Sequence, residues 1–98
     1  MLIITCDPAT SVESTEFTQA LSEVGALHIT SNCWLLPGEH LASAVMDMLY
    51  PLLPDKDADA LFIGQLDVLA EVQWANTTAS DGEIGSLIRN AREHGEEA

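Results

Sequence analysis

The hydrophobic pattern of this chain alternates between the strand repeat and the helix repeat, and the order of those switches constrains the fold more than any single motif does. Residues 2–6, Leu-Ile-Ile-Thr-Cys, are apolar and β-branched, which predicts a strand buried on at least one face. Phe17, Leu21 and Val24 then recur at i, i+4 and i+7, one face of a helix, and Gly25 stands where a left-handed C-cap residue belongs. Thr10-x-x-Glu13 has the spacing of a capping box for that helix. The stretch ALHITSNCWLLPG, residues 26–38, is extended-type again. It reads as two short strands, about 27–30 and 33–36, joined tightly at Ser31-Asn32, where Asn tolerates positive φ. One longer bent strand is the competing reading. From 39 onward Leu41, Val45, Met48, Leu49 and Leu52 form a helical stripe that Tyr50-Pro51 stops near residue 50. The acidic loop opening PDKDADALFIGQL leads into a buried strand at about 60–66. Residues 68–76 fit either a further strand or a turn of helix. Ser80-x-x-Glu83 is a second capping box, with Ile84, Leu87, Ile88 and Ala91 behind it marking a short amphipathic helix to about 93.

The element order is therefore β-α-β-β-α-β followed by an extension. Right-handed crossovers turn that order into an α+β fold of the ferredoxin-like kind, a four-stranded antiparallel sheet with both helices on one face. The expected division is a ferredoxin-like domain over 1–76 and a C-terminal extension over 77–98, with a short helix and a frayed tail. A sheet covered on one face leaves its other face and its edge strands bare, which predicts a homodimer.

Charge narrows the function. Sixteen Asp and Glu face three cations, Lys56, Arg89 and Arg92, for a net charge of −13, yet 47% of the residues are hydrophobic, enough to build a core. Nucleic-acid affinity comes largely from Lys and Arg neutralising phosphates, so direct binding to DNA or RNA is disfavoured, as is an anionic membrane surface. Basic protein surfaces and divalent cations suit such a field. No run approaches the roughly 20 apolar residues of a membrane span. The N-terminus lacks the basic n-region of a signal peptide, and two cysteines are too few for a secreted disulfide scaffold. A cytoplasmic protein is the expectation.

Among single residues, Asp7 ends the first strand ahead of Pro8. It either caps a turn or, with its copy in a second subunit, holds a divalent ion. Asp55, Asp57 and Asp59 resemble the opening of a calcium loop, but Ala60 and Leu66 stand where that loop needs Gly and Glu. His28, His40 and His94 are scattered, with no metal-ligand spacing. Cys6 and Cys33 fall at ends of strands expected to lie side by side, so their thiols are candidate neighbours. Small buried hydrophobes remain the default for both. Trp34 and Trp74 are each either core or an anchor at a subunit seam, core being favoured for Trp34 and the seam for Trp74.

Several stretches carry a resemblance. A strand ending in Asp7, a helix closing on VGA (24–26), and ITSNCWLL with Ser31 and Trp34 are similar to the CRISPR-associated protein two family. So are LASAVMDML, the acidic loop running into DALFIGQL, and the late WAN (74–76). The likeness extends over residues 1–76 and includes the family's stand-alone relatives of the virulence-associated protein D type. It implies a ferredoxin-like homodimer. The interface candidates are Trp34 and Trp74, as aromatic residues, and Asn76. In the family's nucleases it implies a strand-end aspartate, here Asp7, binding Mg²⁺ or Mn²⁺. Two functional readings follow. One is a small acidic dimeric protein-binding module of the antitoxin, anti-defence inhibitor or nucleic-acid-mimic kind, which needs no cofactor. The other is a metal-dependent nuclease using Asp7. Electrostatics favours the first, because it weighs the whole chain against one residue.

Overall fold

Strands and helices fall where the periodicity places them. The computed structural model describes residues 1–7, 15–69 and 71–95. Its elements are β1 (Leu2–Asp7), α1 (Thr15–Glu23), β2 (Leu27–Thr30), β3 (Cys33–Leu36), α2 (Ala42–Leu49), a 3₁₀ turn (Tyr50–Leu52), β4 (Ala60–Gln65) and α3 (Asp81–Gly95). The four strands form one sheet in the order β2-β3-β1-β4, every neighbouring pair antiparallel. The molecule is thus an α+β fold with a four-stranded antiparallel sheet and three helices.

Local chemistry explains the boundaries. The capping box expected at Thr10 and Glu13 lies outside the described residues. At the other end of α1, Gly25 takes φ +87° and donates to Ser22 O at 3.1 Å, while Ala26 donates to Leu21 O at 3.0 Å. This pair of bonds is the Schellman closure that a left-handed glycine permits. β2 and β3 have the bounds expected for two strands, which settles that choice against one bent strand. Their turn is made differently, however. Asn32 does not take positive φ; among the described non-glycine residues Asn76 does, at 55°. A register shift between His28 and Thr30 absorbs the tight connection instead.

Leu41 is also reassigned. It flanks α2 with extended backbone and is 71% exposed, so only Val45 and Leu49 of the expected stripe reach the helix's buried face. Pro51 then sits in the 3₁₀ turn, where its missing N–H costs no α-helical bond.

The pleat sorts β1 onto two cores. Leu2, Ile4 and Cys6 point to one face, where Phe17 and Leu21 of α1, Trp34 and Leu36 of β3, and Val45 and Leu49 of α2 close the first cluster. Leu35 and Ile3 point the other way. That face is not bare. Ile84 and Ile88 of α3, together with Val68 and Ala79, are buried against Leu35, and Leu27, Ile29, Leu66, Val72 and Trp74 pack around them. Of the two grounds for expecting a homodimer, the uncovered second face is removed by the chain's own C-terminal third, while β4 still lies at the edge of the sheet. Residues 68–69 form a turn, and 71–76 are neither strand nor helix. This irregular segment carries the chain across the sheet to α3. There Ser80 and Glu83 complete the predicted capping box, Glu83 N–H donating to Ser80 Oγ at 3.1 Å and Ser80 N–H to Glu83 Oε1 at 3.2 Å.

Candidate functional site

Asp7 is the last residue of β1 and is exposed, paired in register with Ala60 at the start of β4. That pairing brings it beside the acidic loop. Asp59, next to Ala60, is the buried carboxylate among the described residues, 8% exposed. Its Oδ2 accepts the N–H of Asp55 at 3.0 Å, its own N–H donates to Asp55 O at 2.8 Å, and Asp55 Oδ1 accepts the N–H of Asp57 at 3.2 Å. The loop therefore spends carboxylate oxygens on its own backbone donors, as Asx turns do. Cys6 lies under the same corner. Burial pushes its thiol up, and the negative charges of Asp59 and then Asp7 push it further.

The other sequence candidates are dispersed. Among the described residues no group of three or more His, Cys, Asp or Glu is arranged to hold a metal ion, so Asp7 has no preformed donor set around it in one chain. Cys33 pairs with Thr5, which places it on the face opposite Cys6. The expected thiol neighbours are separated by the sheet itself, and both cysteines are free. Burial also raises the Cys33 thiol.

Trp34 is core, 6% exposed, with the Phe17 ring edge-on at 5.8 Å and the His28 ring stacked on it at 4.6 Å. His28 Nε2 is buried with no hydrogen-bond partner among the described residues. His40 is exposed beside Gly38, which takes φ +97°. Trp74 is half-buried against the second cluster and donates from Nε1 to Asp81 Oδ1 at 3.1 Å, anchoring the irregular segment to the start of α3. Asn76 is exposed two residues further on.

Two further features were not singled out from the sequence. A groove of about 800 Å³ opens at the end of the sheet away from Asp7, between Met1, Pro37, His40 and Gln65 on one side and Leu87 and Asn90 of α3 on the other. Phe62 is 63% exposed on β4, an outer strand. The signal for it was present, since no charged residue stands between Asp59 and Asp67.

Acidic side chains are spread over the described surface. Apart from Asp59, every carboxylate with a described side chain is exposed, on strands, helices and loops alike. Against protein-family models, curated proteins and solved structures, the chain finds no match. Function is therefore argued from the surface itself.

Proposed function

We propose that this protein is an acidic protein-binding module on a ferredoxin-like scaffold, presenting carboxylates to a basic surface of a partner protein. The strand order β2-β3-β1-β4 and the antiparallel neighbours agree with that scaffold, with α1 and α2 on one face as its crossovers require. A net charge of −13, with the described carboxylates almost all at the surface, carries the functional reading. Spaced surface carboxylates attract Lys and Arg much as a phosphate backbone does, and a field of one sign accelerates encounter at low salt. An antitoxin, an inhibitor of a nucleic-acid-binding protein or a nucleic-acid mimic would all use this arrangement. The same field repels DNA and RNA.

Titration calorimetry tests the proposal with two probes, a lysine-rich polypeptide and duplex DNA. The polypeptide should bind at low salt and weaken steeply as salt rises, while DNA should give no heat. Salt-sensitive retention of this chain on plain DNA or RNA would overturn the reading. So would cleavage of either in Mg²⁺ or Mn²⁺ that is lost in Asp7→Ala, which would turn the strand-end carboxylate into a metal ligand.

A further inference from the structure

The two edges of the sheet are treated differently. At the β2 edge, Thr78 donates its N–H to Ile29 O at 2.8 Å, so the irregular segment closes part of that edge. Outside β4, by contrast, no strand lies among the described residues. Leu66 donates to Met1 O at 2.9 Å, which fixes the ladder's phase. By antiparallel alternation, Phe62 and Gly64 turn their backbone groups toward β1, and Leu61, Ile63 and Gln65 turn theirs outward. Proteins usually blunt such an edge with Lys, Pro, a bulge or a cover. β4, Ala-Leu-Phe-Ile-Gly-Gln, carries no charge and no proline in a chain of net charge −13.

Phe62 adds a side-chain anchor. It stands opposite Thr5, two positions from the Gly64–Ile3 pair, and so lies on the second face of the sheet. Its ring is laid along its own strand: a Cβ built on Gly64 would meet Phe62 Cε1 at 3.1 Å. The residue is 63% exposed there. Acids bracket the strand, with Asp7, Asp55 and Asp57 exposed at its start and Asp67 exposed just past its end.

We propose that β4 is a strand-addition site for an extended segment of a basic partner, apolar at its centre over Phe62 and carrying Lys or Arg at its ends. This deepens the acidic-module reading and rests on it. Backbone bonds to Leu61, Ile63 and Gln65 supply affinity, and the bracketing carboxylates select the charge of the incoming strand. Charge also decides between occupants: a second copy would bring another −13 to the same edge, whereas a basic segment neutralises it.

The test uses the whole chain and a synthetic peptide, a Val-Thr-Val-Thr-Val run with two lysines at each end. Amide hydrogen exchange by NMR should show Leu61, Ile63 and Gln65 exchanging freely in the free protein and becoming protected when the peptide is added. Phe62→Lys and Gln65→Pro change exposed positions and should keep the fold, yet each should weaken the peptide by about tenfold or more. The same run with glutamates at its ends should not bind. Peptide binding that leaves the three amides unprotected would refute the edge site while leaving the acidic-module reading intact. Failure of any lysine-rich probe to bind at low salt would refute both. Protection of these amides before peptide is added, or a homodimer in sedimentation that Phe62→Lys dissociates, would show the edge already occupied and would overturn the proposal.

Discussion

Ile84→Ala measures how far the C-terminal helix is part of the fold. Ile84 is 2% exposed and meets Leu35 on the second face of the sheet. Truncation to alanine strips buried carbon worth roughly 0.8 kcal/mol per methylene-sized group and leaves a cavity that the sheet, fixed by its ladder, cannot collapse to fill. The expected loss is about 3 kcal/mol, a large share of the roughly 5–15 kcal/mol that stabilises a domain. For a chain this short the melting midpoint should fall by about 10 °C or more. Ser86→Ala, at an exposed position on the same helix, should stay within about 0.5 kcal/mol. Urea denaturation followed by tryptophan fluorescence is the assay, because the two tryptophans report different cores. Trp34→Phe leaves Trp74 to report the α3 side, and Trp74→Phe leaves Trp34 to report the α1–α2 side. Both signals should share one transition. A loss below about 1 kcal/mol, or a Trp74 signal that melts well before Trp34, would mean that α3 is only loosely laid on the sheet, and the covering of the second face would be refuted.

Ser80→Ala removes one arm of the capping box and should cost about 1 kcal/mol in the same urea assay. Gly25→Ala meets no atom within 4 Å, so its cost is the backbone's alone; at φ +87° that should be about 1 kcal/mol. His28→Leu removes a buried nitrogen without a described partner and should be neutral or stabilising by thermal melt; a clear loss would show that stacking on Trp34 outweighs the orphaned atom. The raised thiols of Cys6 and Cys33 favour the neutral form in the fold. Their contribution to stability is whole below the unfolded thiol pKa and is lost as pH rises through the higher folded value, so stability should decline on the alkaline side. Asp7→Asn should make Cys6 alkylate faster at fixed pH, since it removes one of the charges that push the thiol up.

Most of the architecture was legible because each element carried its own local signal. Gly25 marked the end of α1, Ser80 and Glu83 marked the start of α3, and the extended runs around Ser31-Asn32 marked the hairpin. The connection from Leu66 to Ala79 was not legible in the same way. Its buried Val68 and Ala79 and half-buried Val72 and Trp74 follow neither repeat, because an irregular segment is positioned by what it packs against rather than by its own backbone. With that segment unread, the second face looked bare and a second subunit seemed needed to cover it. The cysteines show a related limit. Adjacency of strands was inferred correctly, but the face of each thiol depends on register, and a shift of one residue inverts it. Of the site residues, Asp7 was placed correctly at a strand end. Nothing in the run Asp55-Lys56-Asp57-Ala58-Asp59 tells which aspartate turns inward; the loop's hydrogen bonds to Asp55 select Asp59.

The unequal edges also limit how this protein can aggregate. A fibril grows by adding strands at both sides of every unit, so each unit must offer a donor side and an acceptor side. With Thr78 bonded to Ile29, part of the β2 side is already taken, so strand-to-strand growth is favoured at the β4 side and hindered at the other.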